Sequence, residues 1–224
     1  MRFIPLGMIG LLACSVAPMV QAQLSGSVGV VSLYKSRGID QDDKDRSFRP
    51  ALQASVRYDW ESGLYLYNWN STGRFGQARV EMDVGGGYTR QLANGLSYDV
   101  GYVHYIYPGE GSWNSREVYV GLSYERASVY VYRGMRSNVN QGDWYVALNY
   151  SHPLTERLSV TMGLGFLDYH AQGMRSRTDA SLGLAYALKE NLTLSLQVQA
   201  ANRKRDAWNG ERDTRVIAGL VANF

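Results

Sequence analysis

From Leu24 to Phe224 the chain alternates apolar and polar residues with a period of two. The clearest run sets Ala78, Val80, Met82, Val84, Gly86 and Tyr88 against Arg79, Glu81, Asp83, Gly85 and Gly87. Successive side chains of a strand point to opposite faces, so this run predicts a strand with one face in an apolar phase and one in water. Twelve such runs are present: Leu24–Tyr34, Pro50–Trp60, Leu64–Trp69, Ala78–Tyr88, Leu96–Ile106, Val118–Tyr124, Ala127–Arg133, Trp144–Tyr150, Leu158–Phe166, Leu182–Leu188, Leu192–Ala200 and Arg215–Phe224.

An even number of strands brings both termini to one side, and the connections then sort by length. Glu61–Gly63, Leu92–Gly95, Arg126–Ala127, His152–Arg157 and Lys189–Asn191 are short turns on the side of the termini. The connections Ser36–Arg49, Asn70–Gly76, Pro108–Asn114, Gly134–Gly142, Ala171–Arg177 and Asn202–Arg212 are mostly longer and richer in charge. Short periplasmic turns and longer outer loops are the pattern of a transmembrane barrel. Tyr58, Trp60, Tyr88, Tyr98, Tyr124, Tyr150, Tyr186 and Phe224 all fall beside the short turns and on the apolar face, as an interfacial aromatic girdle requires. The last run presents Val216, Ala218, Leu220, Ala222 and Phe224 on one face, which reads as a C-terminal signal for the barrel-assembly machinery. The expected fold is an all-β transmembrane antiparallel up-and-down barrel of about 12 strands. A soluble sandwich of period-two strands is the alternative, and it would need no girdle.

Residues 1–22 read as a signal peptide: Met1-Arg2 is positive, Phe3–Ala17 is apolar, and Val20-Gln21-Ala22 is a small-residue cleavage site. Residues 23–224 are then the barrel domain. Leu11-Leu12-Ala13-Cys14 also fits a lipoprotein box, which would instead leave a lipidated Cys14. Cys14 is the single cysteine, so a barrel beginning at Gln23 carries neither disulfide nor thiol nucleophile. Hydrophobic residues make up 45% of the chain, consistent with a barrel in which alternate residues meet lipid. A net charge of +3 is too small to argue for a nucleic-acid partner. The expected partners are outer-membrane lipid and lipopolysaccharide, the assembly machinery and small polar solutes, with no cofactor and no metal.

The run Val31-Ser32-Leu33-Tyr34-Lys35-Ser36-Arg37-Gly38 resembles the opening of the TorF-type porin family. Pro50–Ala54, Ser62–Tyr65, Trp69–Ser71, Glu81–Val84, Leu96–Tyr102 and Tyr105–Gly109 follow in the family's order. Its most distinctive pieces here are Ser32, Tyr34, Arg37 and Gly38, then Tyr107, Pro108 and Gly109. The resemblance implies an outer-membrane barrel of Gram-negative bacteria with a pore role. Leu33 departs from it, standing where the family often has an acidic residue.

With even-numbered residues toward lipid in most strands, the aqueous face carries Arg57, Asp59, Arg79, Glu81, Asp83, Asp99, Glu117, Glu125 and Arg215. These either line a channel that filters small hydrophilic solutes by size and transverse charge, or pair across the interior and close it, leaving a structural or cell-surface interaction protein. A third reading is an outer-leaflet lipid hydrolase. His104 has lipid-facing parity and His152 lies in a short turn, so it would need His170 with Ser176 and Asp168. The carboxylates Asp40, Asp42, Asp43 and Asp45 lack the glycine and distal glutamate of a calcium loop, and neighbouring Lys and Arg offset them. Arg203-Lys204-Arg205 suits lipopolysaccharide phosphates as well as it suits water. Gly85-Gly86-Gly87 has no following helix to cradle a phosphate and reads as room for strand packing, and the Asn191-Leu192-Thr193 sequon is incidental in a short turn.

Overall fold

The alternating runs close on themselves. A computed structural model describes residues 23–41, 48–135, 139–170, 176–202 and 213–224. Its strands are β1 (Gln23–Val31), β2 (Lys35–Ser36), β3 (Ile39–Asp40), β4 (Ala51–Asp59), β5 (Leu64–Phe75), β6 (Ala78–Gln91) and β7 (Ser97–Ile106), followed by β8 (Ser115–Tyr124), β9 (Ala127–Gly134), β10 (Trp144–Pro153), β11 (Leu158–Asp168), β12 (Arg177–Lys189), β13 (Leu192–Ala201) and β14 (Asp213–Asn223). Twelve of them, all but β2 and β3, form one closed antiparallel barrel with each strand beside its neighbour in sequence. The assignments that fall on residues 1–22, on Asp42, Asp43 and Asp45, and on Arg203-Lys204-Arg205 lie outside the described residues.

Closure is made by β1, which pairs with β4 on one side and with β14 on the other, from Ser27 opposite Asn223 to Val31 opposite Gly219. Two further bonds extend the seam: the Gly26 amide donates to the Phe224 carbonyl at 2.9 Å, and the Phe224 amide to the Gly26 carbonyl at 3.0 Å. The Phe224 ring lies over Gly26, where a Cβ would come within 2.6 Å of it. No sheet edge is left to meet hydrocarbon, where an unpaired backbone group costs several kcal/mol.

The apolar face points outward. Leu24, Val28, Leu66, Leu164, Leu182, Leu196 and Val216 are all exposed. At roughly 25 cal/mol per Å² such a belt is unfavourable in water and at rest in lipid, which sets the soluble sandwich aside. Among the described residues no helix is long and apolar enough to cross a membrane, and a closed barrel with an apolar belt crosses with its strands. Beside the short turns Tyr58, Trp60, Tyr124, Tyr150, Tyr186 and Phe224 are exposed, and Tyr88 and Tyr98 half-buried, forming the expected girdle. Tyr58 meets Trp60 edge-on at 4.8 Å between ring centroids.

Several boundaries differ from the sequence reading. Strand β1 ends at Val31 rather than Tyr34, because the chain there turns into the barrel. Asn70–Gly76 is not a loop: β5 continues to Phe75, and a tight turn at Gly76 (φ +62°) and Gln77 follows. Strand β12 begins at Arg177, five residues before Leu182. In β9 the even residues Tyr130 and Tyr132 face inward, since the β8–β9 turn pairs Tyr124 with Ala127 and so inverts parity.

Candidate functional site

The inward faces form two unlike walls. From β5 to β10 the interior carries seven tyrosines, Tyr65, Tyr67, Tyr105, Tyr119, Tyr130, Tyr132 and Tyr145, together with Trp69 and Phe75. Five of the tyrosines have an inward glycine on an adjacent strand as a floor: Tyr65 over Gly87, Tyr67 over Gly85, Tyr119 over Gly101, Tyr130 over Gly121 and Tyr145 beside Gly165. At Gly87 an added Cβ would meet the Tyr65 hydroxyl at 2.6 Å, and at Gly121 it would run into the Tyr130 ring. The alternation of large and absent side chains lets rings lie along the wall, and it gives Gly85 and Gly87 their reason.

Phenol hydroxyls on this wall converge on carboxylates. Tyr65 donates to Asp99 at 2.7 Å and lies 2.5 Å from the Tyr119 hydroxyl, while Tyr130 reaches the other Asp99 oxygen at 3.3 Å. Tyr107 donates to Glu81 at 2.7 Å and Tyr105 to Glu117 at 2.9 Å. From β11 through β14 to β1 and β4 the wall is small instead: Ser159, Thr161, Gly163, Ser181, Gly183, Ser195, Gln197, Gly219, Ser27 and Ser55 face inward with no aromatic among them. Most of these are only half-buried, so they border free space.

A hairpin bridges the two walls. The segment after β1 folds into the lumen as β2 and β3, joined by a two-residue turn at Arg37 and Gly38, with φ of +49° and +71°. Two positive φ values define the tight turn that matches strand twist, a conformation glycine accepts and arginine resists. On the small wall, Lys35 is fully buried between Asp40, at 2.7 Å, and Asp213. Arg215 pairs with Asp40 at 2.9 Å and with Asp213 at 3.2 Å, and Arg177 donates to the Gly38 carbonyl at 3.2 Å. Toward the tyrosine wall, Arg37 forks onto Glu117 at 2.7 and 2.6 Å and reaches the Tyr105 hydroxyl at 3.2 Å. Its guanidinium carbon lies 4.9 Å from the Tyr132 ring centre and 4.4 Å from that of Tyr145. Where these groups meet, Lys35, Arg177, Glu117 and Asp213 are all buried.

The predicted aqueous-face residues divide. Glu81, Asp83, Asp99 and Glu117 are buried on the tyrosine wall, and Arg215 joins the hairpin network. Arg57 and Asp59 pair with each other at 2.6 Å, with Arg57 stacked 3.7 Å above the Tyr65 ring. Arg79 and Glu125 do not face the interior. Arg79 is exposed at the β5–β6 turn, where Ala78 takes the inward position opposite Phe75 past a bulge, and its guanidinium donates to the Gly76 and Ala78 carbonyls at 2.8 Å. Glu125 sits at the tip of the β8–β9 turn with φ +50°.

The distinctive sequence pieces lie on the hairpin and on the loop above it. Ser32 holds the chain to β14, its hydroxyl accepting from the Ala218 amide at 2.9 Å. Tyr34 is buried edge-on to Trp69, with centroids 5.4 Å apart. Tyr107-Pro108-Gly109-Glu110 is a turn closed by a 2.9 Å bond from Glu110 to Tyr107, with Gly109 at φ +87° in the position that asks for glycine. On that loop Ser112 and the Gln77 amide hold the exposed Glu110 carboxyl below its ordinary pKa. Arg177, Asp179 and Asp213, which sequence reading missed, continue the inward alternation of β12 and β14 beyond their expected starts.

Of the hydrolase set, Ser176 donates to Asp168 at 2.8 Å, but the His170 backbone amide donates to Asp143. Among the described residues the His170 ring makes no hydrogen bond to Ser176 or Asp168, and no cluster suited to a metal is present.

Counted inward among the described residues, nine carboxylates (Asp40, Asp59, Glu81, Asp83, Asp99, Glu117, Asp143, Asp179, Asp213) face five cations (Lys35, Arg37, Arg57, Arg177, Arg215). The hairpin cluster on the small wall balances three against three, so the surplus belongs to the tyrosine wall.

A closed barrel with an apolar exterior and an enclosed, charged interior is a porin-like transmembrane β-barrel. The chain belongs to the Gcw_chp family, a bacterial family of unknown function, whose model matches residues 16–221. No curated protein matches the sequence. The fold is similar to that of the KdgM porin, with a TM-score of 0.60 and 12% identity over 89% of this chain and 99% of the other. KdgM porin in complex with disordered oligogalacturonate gives 0.58 and 11% over 90% and 98%, and the NanC porin 0.59 and 10% over 89% and 99%.

Proposed function

We propose that this protein is an integral outer-membrane channel passing small hydrophilic solutes or ions by diffusion, with a preference for cations. The observation that carries the proposal is the small-residue wall: half-buried hydroxyl, amide and glycine positions run along β11–β14 inside an apolar shell. The porin-like fold supports this reading, and so does the resemblance of Ser32-x-Tyr34-x-x-Arg37-Gly38 and Tyr107-Pro108-Gly109 to TorF-type porins. Selection would follow from steric exclusion by the bore and from the carboxylate surplus on one side of it. The oligogalacturonate of the KdgM complex is a polyanion, and the charge balance here argues for the opposite sign. In this reading residues 1–22 direct export and are cleaved, the face from Val216 to Phe224 is read during assembly, and Arg203-Lys204-Arg205 meets lipopolysaccharide.

Refolded protein inserted in a planar bilayer should give discrete current steps, with a reversal potential in a salt gradient that marks cation preference. Glu81→Lys with Asp83→Lys should move that potential toward anions in protein whose folding is verified by heat-modifiable gel mobility. Silence from folded protein would contradict the proposal. The second reading is a closed barrel serving as a structural or cell-surface interaction protein, favoured by the burial of Arg177 and Glu117 where the hairpin crosses the lumen. Surface binding that disappears when the outer loops are exchanged would support it. A lipid hydrolase would lose its activity in His170→Ala.

A further inference from the structure

The geometry points to a guanidinium-binding site on the tyrosine wall, which Arg37 occupies as a built-in surrogate for a cationic solute. This inference rests on the channel reading and names the solute class that the channel takes.

Three features make the site one for a planar cation. The Glu117 carboxylate accepts both Arg37 nitrogens at 2.7 and 2.6 Å, the fork geometry that a guanidinium satisfies and a spherical ammonium does not. Tyr132 and Tyr145 lie 4.9 and 4.4 Å from the guanidinium carbon, within the range of cation–π attraction. Glu117 is itself held on its other side by Tyr105 at 2.9 Å and by the Asn140 amide at 3.2 Å, so the acceptor is oriented independently of Arg37. Further along the wall Asp83 Oδ1 is buried without a hydrogen-bond partner, an acceptor that the single surrogate leaves unsatisfied.

Arg37 enters this site from a backbone conformation that disfavours it. At φ +49°, in a turn that prefers glycine at both positions, its side chain is held by the contacts of its tip. A free guanidinium solute can make the same contacts without that constraint. On displacement, Arg37 is released and the hairpin loses its tie to the tyrosine wall, leaving the Lys35 cluster to hold it against the opposite side.

Arg37→Gly is the informative variant, since glycine suits the turn and only the side chain is lost. With agmatine as the probe and tetramethylammonium as the control cation, calorimetry and thermal unfolding in detergent should show saturable agmatine binding. Binding to R37G should be at least about tenfold tighter than to the native chain, where Arg37 competes, and absent when Glu117→Gln is added. Equal affinity for the native chain and R37G, binding that survives Glu117→Gln, or equal response to tetramethylammonium would each overturn the site. Neither readout needs conductance. Agmatine binding with a silent bilayer keeps the site and fails the channel, whereas current through R37G without agmatine binding does the reverse. Should R37G fail to fold, Glu117→Gln in the native chain decides: it should expose Arg37 to limited trypsin cleavage, and continued protection would contradict the proposal.

Discussion

The two walls of the lumen follow the same backbone rule and reach opposite results. From β5 to β10 inward positions alternate tyrosine with glycine, each ring fills the space its neighbour leaves, and the wall is dry. From β11 to β1 a run of inward positions, Ser159, Thr161, Gly163, Ser181, Gly183, Ser195, Gln197 and Gly219, is small and largely half-buried, while nearer the hairpin Arg177, Asp179, Gln199, Asp213 and Ile217 are buried. Strand alternation therefore decides only which residues face inward. Side-chain volume decides whether that face is packing or passage. The hairpin of β2 and β3 contacts both, through ion pairs on one side and through Arg37 on the other.

The largest expected effect breaks the hairpin's hold on the small wall. Lys35→Met leaves Asp40 and Asp213 buried with Arg215 as their remaining cation, and removing one partner of a buried pair costs about 3–5 kcal/mol. Urea unfolding in lipid should show that loss, with much of it recovered in the triple variant Lys35→Met, Asp40→Asn, Asp213→Asn. The next contrast uses one substitution on both walls. At Gly121 a new Cβ would run into the Tyr130 ring, and Gly121→Ala should cost roughly 1–3 kcal/mol of overpacking. At Gly163 the obstacle is the Ser181 hydroxyl at 2.6 Å, the free end of a small side chain that can rotate, so Gly163→Ala should stay within about 0.5 kcal/mol. Equal costs at the two sites would erase the distinction. Tyr130→Phe removes a 3.3 Å bond to Asp99 while Tyr65 keeps its own, and a loss of about 1 kcal/mol in unfolding free energy is expected.

Much of this was legible in the sequence because lipid outside and water inside enforce alternation over whole strands. All twelve barrel strands, their order and the aromatic girdle follow from that period. The interior was less legible. Aromatics in a barrel sequence suggest interfaces, and nothing in Tyr119 or Tyr145 alone distinguishes a packed ring from a girdle ring except parity. Parity also fails locally. A bulge near Thr72–Phe75 turns Arg79 outward, and the two-residue turn at Glu125 and Arg126 inverts β9. The hairpin was hidden because Lys35-Ser36-Arg37-Gly38 is short and charged, as an exposed loop would be, while its partners Asp213 and Glu117 are 178 and 80 residues away in sequence. The distinctiveness of Ser32, Tyr34, Arg37 and Gly38 was the one sequence signal that pointed to it.

Cysteine accessibility tests the two-wall account most directly. In a Cys14→Ser background, single cysteines at Thr161 and Ser195 on the small wall and at Val103 and Ala147 on the tyrosine wall would be exposed to a charged, water-soluble thiol reagent in native membranes. The account predicts rapid modification at 161 and 195 and protection at 103 and 147 until the protein is unfolded. Equal labelling of all four positions, or protection at 161 and 195, would contradict it.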